Sequence, residues 1–280
     1  MNQTTVIMKG AEVANHMLSN LSWKKDTTLY ILSNQADPAS AIYVCNKKRK
    51  CDEIGVQCII YDISQIDIES VENILYKDII NNSFNLNKFY VIIQKPLPNH
   101  LKKYEQKIDN FFKIYPNTDI DAFGGDLSTE FNTPATPLGI MKMLDYYIGI
   151  KNLDGKNAVI LGRSPIVGKP IADLLLNANC TVTICHSHTK DLKKITRRAD
   201  LIVSAVGRPK FITPEFITPD RHPIIVDVGI NKDENGKMCG DVDFNTVAPY
   251  CSYISPVPGG VGILTVASLA YKMRETKENM

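Results

Sequence analysis

Two short apolar runs, Leu201-Ile-Val-Ser-Ala205 and Ile224-Ile-Val-Asp-Val228, constrain the fold of this chain most. Each has the length of one strand, and neither alternates apolar with polar residues as a strand with one wet face does. Continuous apolar strands suit a parallel sheet covered on both sides, which in turn calls for helices between the strands. The rest of the second half keeps that rhythm, with strands expected at 158–161 and 181–185, the latter read as buried. In the first half the spacing predicts helices over 10–22, 38–54 and 69–81. Strands at 28–33, 56–61 and 89–94 interleave with them, and a proline-rich loop follows. A helix over 138–147 and a turn-like stretch at 152–156 lead into the second series, and Asn235-Gly236 signals a hairpin. The chain is therefore expected to be α/β throughout.

The 280 residues suffice for one large or two modest domains with a buried core. Thirty-two basic and thirty acidic residues leave a formal charge of +2. Their interspersion implies neither a nucleic-acid groove nor a membrane-binding face. No apolar run approaches the roughly 18 residues that a membrane span needs, and residues 1–10 lack the pattern of a secretion signal, so a cytoplasmic protein is expected. Seven scattered cysteines have no paired spacing and should be reduced. Cys180, Cys185, His186 and His188 cluster, but their spacing matches no common zinc pattern, and no metal is expected.

Lys47 stands where a lysine is out of place. On a helix over 38–54, Ser40, Tyr43, Val44, Lys47, Cys51 and Ile54 share one face, while Lys48, Arg49, Asp52 and Glu53 occupy the other. From the helix alone two readings stand. The side chain either runs along the stripe to end in water, or is a desolvated ammonium available for proton work.

The second half opens with a candidate phosphate loop. The strand at 158–161 runs into Gly162-Arg-Ser-Pro-Ile-Val-Gly168 and then a helix through Asn177, which turns backbone N–H groups and the positive helix end toward a pyrophosphate. Ser164 and Val167 replace two glycines of the usual fingerprint, so a tight turn without a ligand is the other reading. After the next strand the chain offers His186-Ser187-His188-Thr189, with no carboxylate to hold a ribose 2′-hydroxyl. A plain surface loop is one reading of that segment. As a cofactor site it favours NADP, because Arg163 can pair with a 2′-phosphate and Ser187 can donate to it.

Three further segments have chemistry to offer: Gln94-Lys-Pro96-Leu-Pro98 at a strand's carboxyl end, Asp119-Ile-Asp121-Ala-Phe-Gly-Gly125, and Ser255-Pro-Val-Pro258-Gly259-Gly260-Val-Gly262. Taken singly each is compatible with turn chemistry. In order along the chain, with Asp37-Pro-Ala-Ser40-Ala-Ile-Tyr43-Val-Cys-Asn-Lys47, Pro134-x-Thr-Pro-x-Gly139, Gly162-Arg-Ser-x-Ile-Val-Gly-x-Pro170, His186-Ser-x-Thr189 and Asp227-Val-Gly-Ile-Asn231, they resemble the methylenetetrahydrofolate dehydrogenase/cyclohydrolases.

That resemblance spans nearly the whole chain, and it implies a good deal. Residues 1–140 would form a folate-binding catalytic domain to which 263–280 return, and 141–262 a Rossmann-like NADP domain, with a cleft between the two and a homodimer as the working form. The implied reactions are oxidation of 5,10-methylenetetrahydrofolate with NADP and hydrolysis of the methenyl product to 10-formyltetrahydrofolate. Lys47 would be the main catalytic residue, with Tyr43 beside the pterin, Gln94 tuning the lysine and Asp121 anchoring the ring. Ser40, Pro96, Pro98, Pro258, Gly259 and Gly260 would line the folate, and Gly162, Arg163, Ser164, Ser187 and Ile230 the dinucleotide. Four positions depart from the family pattern: Lys95 puts a charge beside the expected pocket, and Ala122, Ala135 and Ile263 replace the usual residues. A monofunctional dehydrogenase and a non-catalytic NADP- or folate-binding regulator are the alternative readings.

Overall fold

The computed structural model describes residues 4–23, 26–82, 89–122 and 127–274. Phe123, Gly124 and Gly125, part of one motif above, lie outside the described residues. In chain order the strands are β1 (Val6–Ile7), β2 (Thr28–Ser33), β3 (Gln57–Asp62), β4 (Phe89–Ile93), β5 (Asn157–Leu161), β6 (Thr181–Cys185), β7 (Leu201–Ser204), β8 (Ile224–Asp227), β9 (Asn231–Lys232), β10 (Met238–Cys239) and β11 (Tyr253–Ile254). The chain divides into a smaller unit, Asn20–Ala122 with Leu269–Met280, and a larger one, Met1–Ser19 with Phe123–Ser268.

In the smaller unit a three-stranded parallel sheet runs in the order β3-β2-β4. Its helix Pro38–Ile54 begins and ends where local chemistry demands. Asp37 accepts from the Ser40 amide at 3.0 Å, and Pro38 fills the first turn. At the far end Gly55 takes the left-handed φ of 72° that halts the helix. Leu32, Val71, Leu75, Ile79, Phe89, Val91, Ile108 and Phe111 pack as one core against the sheet.

In the larger unit six strands are ordered β1-β11-β8-β7-β5-β6, with every recorded pairing parallel. The apolar strands β7 and β8 are buried along their whole length, as their composition requires. The reading of 181–185 as a buried strand is corrected here: β6 is the outer strand, and all but Cys185 is exposed or half-buried. Alternating threonines suit such an edge, and a single-strand window cannot show which strand lies outermost. Two short strands, β1 and β11, escaped the sequence reading because two residues carry no period. They pair with each other, Val6 opposite Tyr253, and carry the first nineteen residues into the larger unit. The helix Ala135–Ile148 also belongs there, where Gly139 lets it approach Leu264 so closely that an added Cβ would meet the Leu264 Cβ at 2.7 Å. The hairpin signalled at Asn235-Gly236 joins β9 to β10. Among the described residues, no helix is long and apolar enough to cross a membrane.

Candidate active site

Lys47 has the desolvated environment that one of its two readings required. The faces of the helix Pro38–Ile54 separate as the period implies, burying Ser40, Val44, Lys47 and Cys51 and leaving Lys48, Arg49, Asp52 and Glu53 outside. Lys47 is 6% exposed. Its Nζ donates to Gln94 Oε1 at 2.9 Å and lies 3.6 Å from Asp121 Oδ2. A buried ammonium without such partners would be strongly destabilising, and breaking a buried pair of this kind costs about 3–5 kcal/mol.

Each partner is held by backbone. Gln94 follows the end of β4, its amide N–H donating to the Leu32 carbonyl at 2.8 Å. Its side-chain Nε2 donates to the Lys95 carbonyl at 3.0 Å, which leaves Oε1 as the acceptor facing Lys47. Asp121 is reached through Asp119, which bridges to Val91 of β4 and accepts from the Ala122 amide at 2.9 Å. Ala122 is forced to a φ of 55°, a left-handed conformation that alanine adopts only under constraint.

Three points about this unit differ from the sequence reading. Tyr43 lies at the edge of the stripe, 37% exposed, and partial burial still raises its hydroxyl pKa above the ordinary value. Lys95 places no free charge beside the lysine pocket, because its Nζ pairs with Glu105 at 2.8 Å and Asp109 at 3.0 Å. The third concerns a residue that sequence reasoning missed. Lys272, 4% exposed, donates to the Ile120 carbonyl at 2.7 Å and so clamps the peptide that leads into Asp121. Burial lowers its pKa from 10.5 to about 8, against the pull of Asp121 and Asp119. The signal was available: a lysine in Leu269-Ala270-Tyr271-Lys272-Met273 is as misplaced as Lys47. Ser40 is buried and its Oγ donates at 2.8 Å to Asp37, the cap of its own helix; Pro98 is buried, and Pro96 is exposed.

The residues expected at a dinucleotide all lie in the larger unit. β5 has β6 on one side and β7 on the other, so the strand order reverses direction there, and the crevice beyond the carboxyl ends of such strands is where nucleotides bind. Gly162 sits at that point with φ +119°, and a Cβ on it would lie 2.4 Å from the Ala205 carbonyl oxygen. Ser164 compensates for the missing second glycine, its Oγ accepting from the amides of Val167 at 3.1 Å and Gly168 at 3.2 Å. The helix Gly168–Asn177 begins there. Gly162 donates to the Cys185 carbonyl at 2.9 Å, which brings the Arg163 turn beside His186-Ser187. Arg163 and Ser187 are exposed, as a site for a charged ligand requires, and the His186 amide donates to Thr189 Oγ1 at 2.8 Å. Ile230 is 48% exposed, and an added Cβ on Gly262 would touch it at 3.7 Å. Gly259 and Gly260 pack against Gly10, whose amide donates to the Gly259 carbonyl at 2.8 Å; Pro258 is exposed.

A second overlooked residue organises this crevice. Asp241 is fully buried and accepts from the Val206 amide at 2.7 Å, the Arg208 amide at 3.0 Å, Asn231 Nδ2 at 2.9 Å and Ser204 Oγ at 3.2 Å. It thereby shapes the loop after β7. Beside it Asp227 takes three backbone amides, yet burial pushes its carboxyl up to about 7. A separate cavity of about 870 Å³, lined by Lys193, Lys194, Arg197, Arg198, Phe211 and Phe216, contains none of the residues singled out above.

With these two sites described, comparison with known proteins becomes informative. Residues 7–121 match the catalytic domain of the tetrahydrofolate dehydrogenase/cyclohydrolases, and residues 134–280 match their NAD(P)-binding domain. The chain belongs to the tetrahydrofolate dehydrogenase/cyclohydrolase family. Bifunctional FolD proteins of Caldicellulosiruptor saccharolyticus and Lachnoclostridium phytofermentans are 44% and 41% identical over 256 and 251 residues. Those alignments cover 87% and 88% of this chain and 87% and 85% of the relatives. Among solved structures, the Campylobacter jejuni dehydrogenase/cyclohydrolase superposes with a TM-score of 0.80 at 34% identity, covering 96% of this chain and 97% of that one. The Trypanosoma brucei enzyme, solved with NADP and an inhibitor, gives 0.80 at 26% identity and 96% coverage of each. As a member of this family the chain is an enzyme of two steps, dehydrogenation of methylenetetrahydrofolate and hydrolysis of the methenyl product.

Proposed function

We propose that Lys47, Gln94 and Asp121 carry the cyclohydrolase step and that NADP is the hydride acceptor of the dehydrogenase step. The observation behind the first assignment is the buried Lys47 ammonium held 2.9 Å from Gln94 and 3.6 Å from Asp121. Hydrolysis of a methenyl cation needs a group that takes a proton from the attacking water and returns one to the departing ring nitrogen. Lys47 does both. Gln94 fixes its position, Asp121 compensates its charge, and Tyr43 flanks it on the exposed side. Ser40, Pro96 and Pro98 of the smaller unit contact folate.

NADP, when bound, supplies the two-electron acceptor at its nicotinamide. The residues present fit such a group. Gly162 leaves a cradle that a Cβ would fill, the positive end of the helix Gly168–Asn177 lies beside it, and Arg163 with Ser187 takes the 2′-phosphate. Ile230 lines the same crevice. Orientation of the two rings is then most of the dehydrogenase's work. We place folate and proton chemistry in the smaller unit and dinucleotide binding in the larger. The working form is a cytoplasmic homodimer; the exposed edge β6, with Ile184 40% exposed, is a surface a second copy can cover.

The test is Lys47→Met, assayed with 5,10-methylenetetrahydrofolate and NADP while NADPH and the methenyl intermediate are followed together. The expected outcome is continued NADPH formation, with methenyl rising to the level set by spontaneous hydrolysis. Undiminished cyclohydrolase in this variant would remove Lys47 from the mechanism. Light scattering on the purified protein decides between monomer and dimer.

A further inference from the structure

Lys95 departs from the family pattern, and its two ends meet different parts of the smaller unit. Its backbone carbonyl accepts from Gln94 Nε2 at 3.0 Å. Its ammonium, at the far end of a half-buried side chain, lies 2.8 Å from Glu105 Oε1 and 3.0 Å from Asp109 Oδ1. Both carboxylates belong to the helix Glu105–Ile114 and, being one turn apart, share one of its faces. Ile108 and Phe111 of the same helix are buried in one core with Val91 and Ile93 of β4. The helix is thus packed against the strand that leads into Gln94.

The carbonyl end decides how Gln94 can serve Lys47. An ammonium only donates and a peptide carbonyl only accepts, so one setting of the Gln94 amide satisfies both, with Oε1 on Lys47 at 2.9 Å and Nε2 on Lys95 at 3.0 Å. Turned over, the amide would set donor against donor and oxygen against oxygen. With the Lys95 carbonyl displaced, the amide loses the partner that fixes its rotation, and Lys47 is left with Asp121 at 3.6 Å.

We propose that Lys95 is a positioning residue for the hydrolytic step: its ion pairs with Glu105 and Asp109 hold the peptide whose carbonyl turns the Gln94 amide toward Lys47. It acts through Gln94, and the proposal rests on the roles assigned above to Gln94 and Lys47. The tether is partly open to solvent, with the Lys95 side chain 25% exposed, so each pair is screened. Neutralising the lysine should therefore do less than reversing its charge, because a carboxylate at that position is repelled by both partners and carries its peptide with it.

The test is a charge swap. Cyclohydrolase is measured on methenyltetrahydrofolate supplied directly, and dehydrogenase as NADPH formed from 5,10-methylenetetrahydrofolate. Lys95→Glu should lower the cyclohydrolase kcat about tenfold and leave its KM within about twofold, as expected when a catalytic group is moved out of place. Adding Glu105→Lys and Asp109→Lys to that variant should restore kcat to within about threefold of wild type, since the pairs are remade with their signs exchanged. Dehydrogenase should stay within about twofold throughout. If Lys95→Glu does not fold, Lys95→Met and Lys95→Arg carry the same comparison, with about a threefold loss of kcat in the first and none in the second. A raised KM at unchanged kcat would overturn the proposal and make Lys95 a folate-binding residue. A loss that neither the swap nor Lys95→Arg repairs would overturn it as well, and so would an equal loss of dehydrogenase. Gln94→Ala, assayed in parallel, separates this proposal from the reading beneath it. Undiminished cyclohydrolase there would remove Gln94 and the tether together, whereas a loss there beside an unimpaired Lys95→Glu would overturn the tether alone.

Discussion

The smaller unit builds its site from side chains and the larger from backbone. Around Lys47 the working atoms are an ammonium, an amide oxygen and a carboxylate, each on a different element and each held by a hydrogen bond to a neighbour. Around Gly162 what counts is the room the backbone leaves, and Ser164 and Asp241 take up loop amides and so hold the loops in shape. The first kind of site is lost by changing what a side chain can donate. The second is lost by adding an atom where none fits.

The comparison can be broken experimentally. Its largest expected effect is the Lys47→Met loss of cyclohydrolase, by about 10²- to 10⁴-fold, the usual yield of a positioned acid–base group. Next is Gly162→Ala. At φ +119°, with its Cβ 2.4 Å from the Ala205 oxygen, the new methyl must push the β5 and β7 loops apart. Strain of about 1–3 kcal/mol should weaken NADP binding by roughly 5- to 150-fold in a fluorescence titration. Hydrolysis of methenyltetrahydrofolate supplied directly should persist. Equal loss of both activities would mean that the two sites are not separable.

A smaller effect sharpens the side-chain half of the comparison. Lys272 has a folded pKa of about 8 against 10.5, so between those values the unfolded chain holds more of its proton than the folded one. Its contribution to stability therefore rises with pH across that window, and is constant below about 8, where the lysine is charged in both states. The difference in unfolding free energy between wild type and Lys272→Met should grow in favour of wild type by roughly 3 kcal/mol from pH 8 to 10.5, read from urea transitions. A flat difference would mean that the buried ammonium is not desolvated. The smallest effect is Ala122→Gly, which relieves the φ of 55°. The relief, offset by the greater freedom of glycine in the unfolded chain, should be a net gain of roughly 0.5–1 kcal/mol, visible as a higher melting temperature.

Much of both sites was legible in the residues. The helix Pro38–Ile54 and the strand Thr28–Ser33 begin and end where their caps and period put them. Lys47 was conspicuous because a charge broke an apolar stripe. Ser40 shared the Lys47 face by period, and the Gln94 and Asp121 segments stood out, but the roles of Gln94 and Asp121 came only through the family pattern, since nothing local distinguishes a structural glutamine from one that faces a lysine. Asp241 was invisible for the same reason: its carboxylate's partners are Ser204, Val206, Gly207, Arg208 and Asn231, and its role exists only once those loops converge.

The sequence by itself determined the order of helices and strands and the exceptional placement of Lys47, because caps, turn residues and periodicity act over a few neighbouring positions. Only the tertiary structure decided which strand became the exposed edge, that Val6 pairs with Tyr253 across nearly the whole chain, that Lys95 turns to Glu105 and Asp109, and that Lys272 reaches the peptide before Asp121. Strand order and the pairing of buried charges depend on contacts between distant segments, and such contacts are chosen by what the whole core can bury and satisfy rather than by any local run of residues.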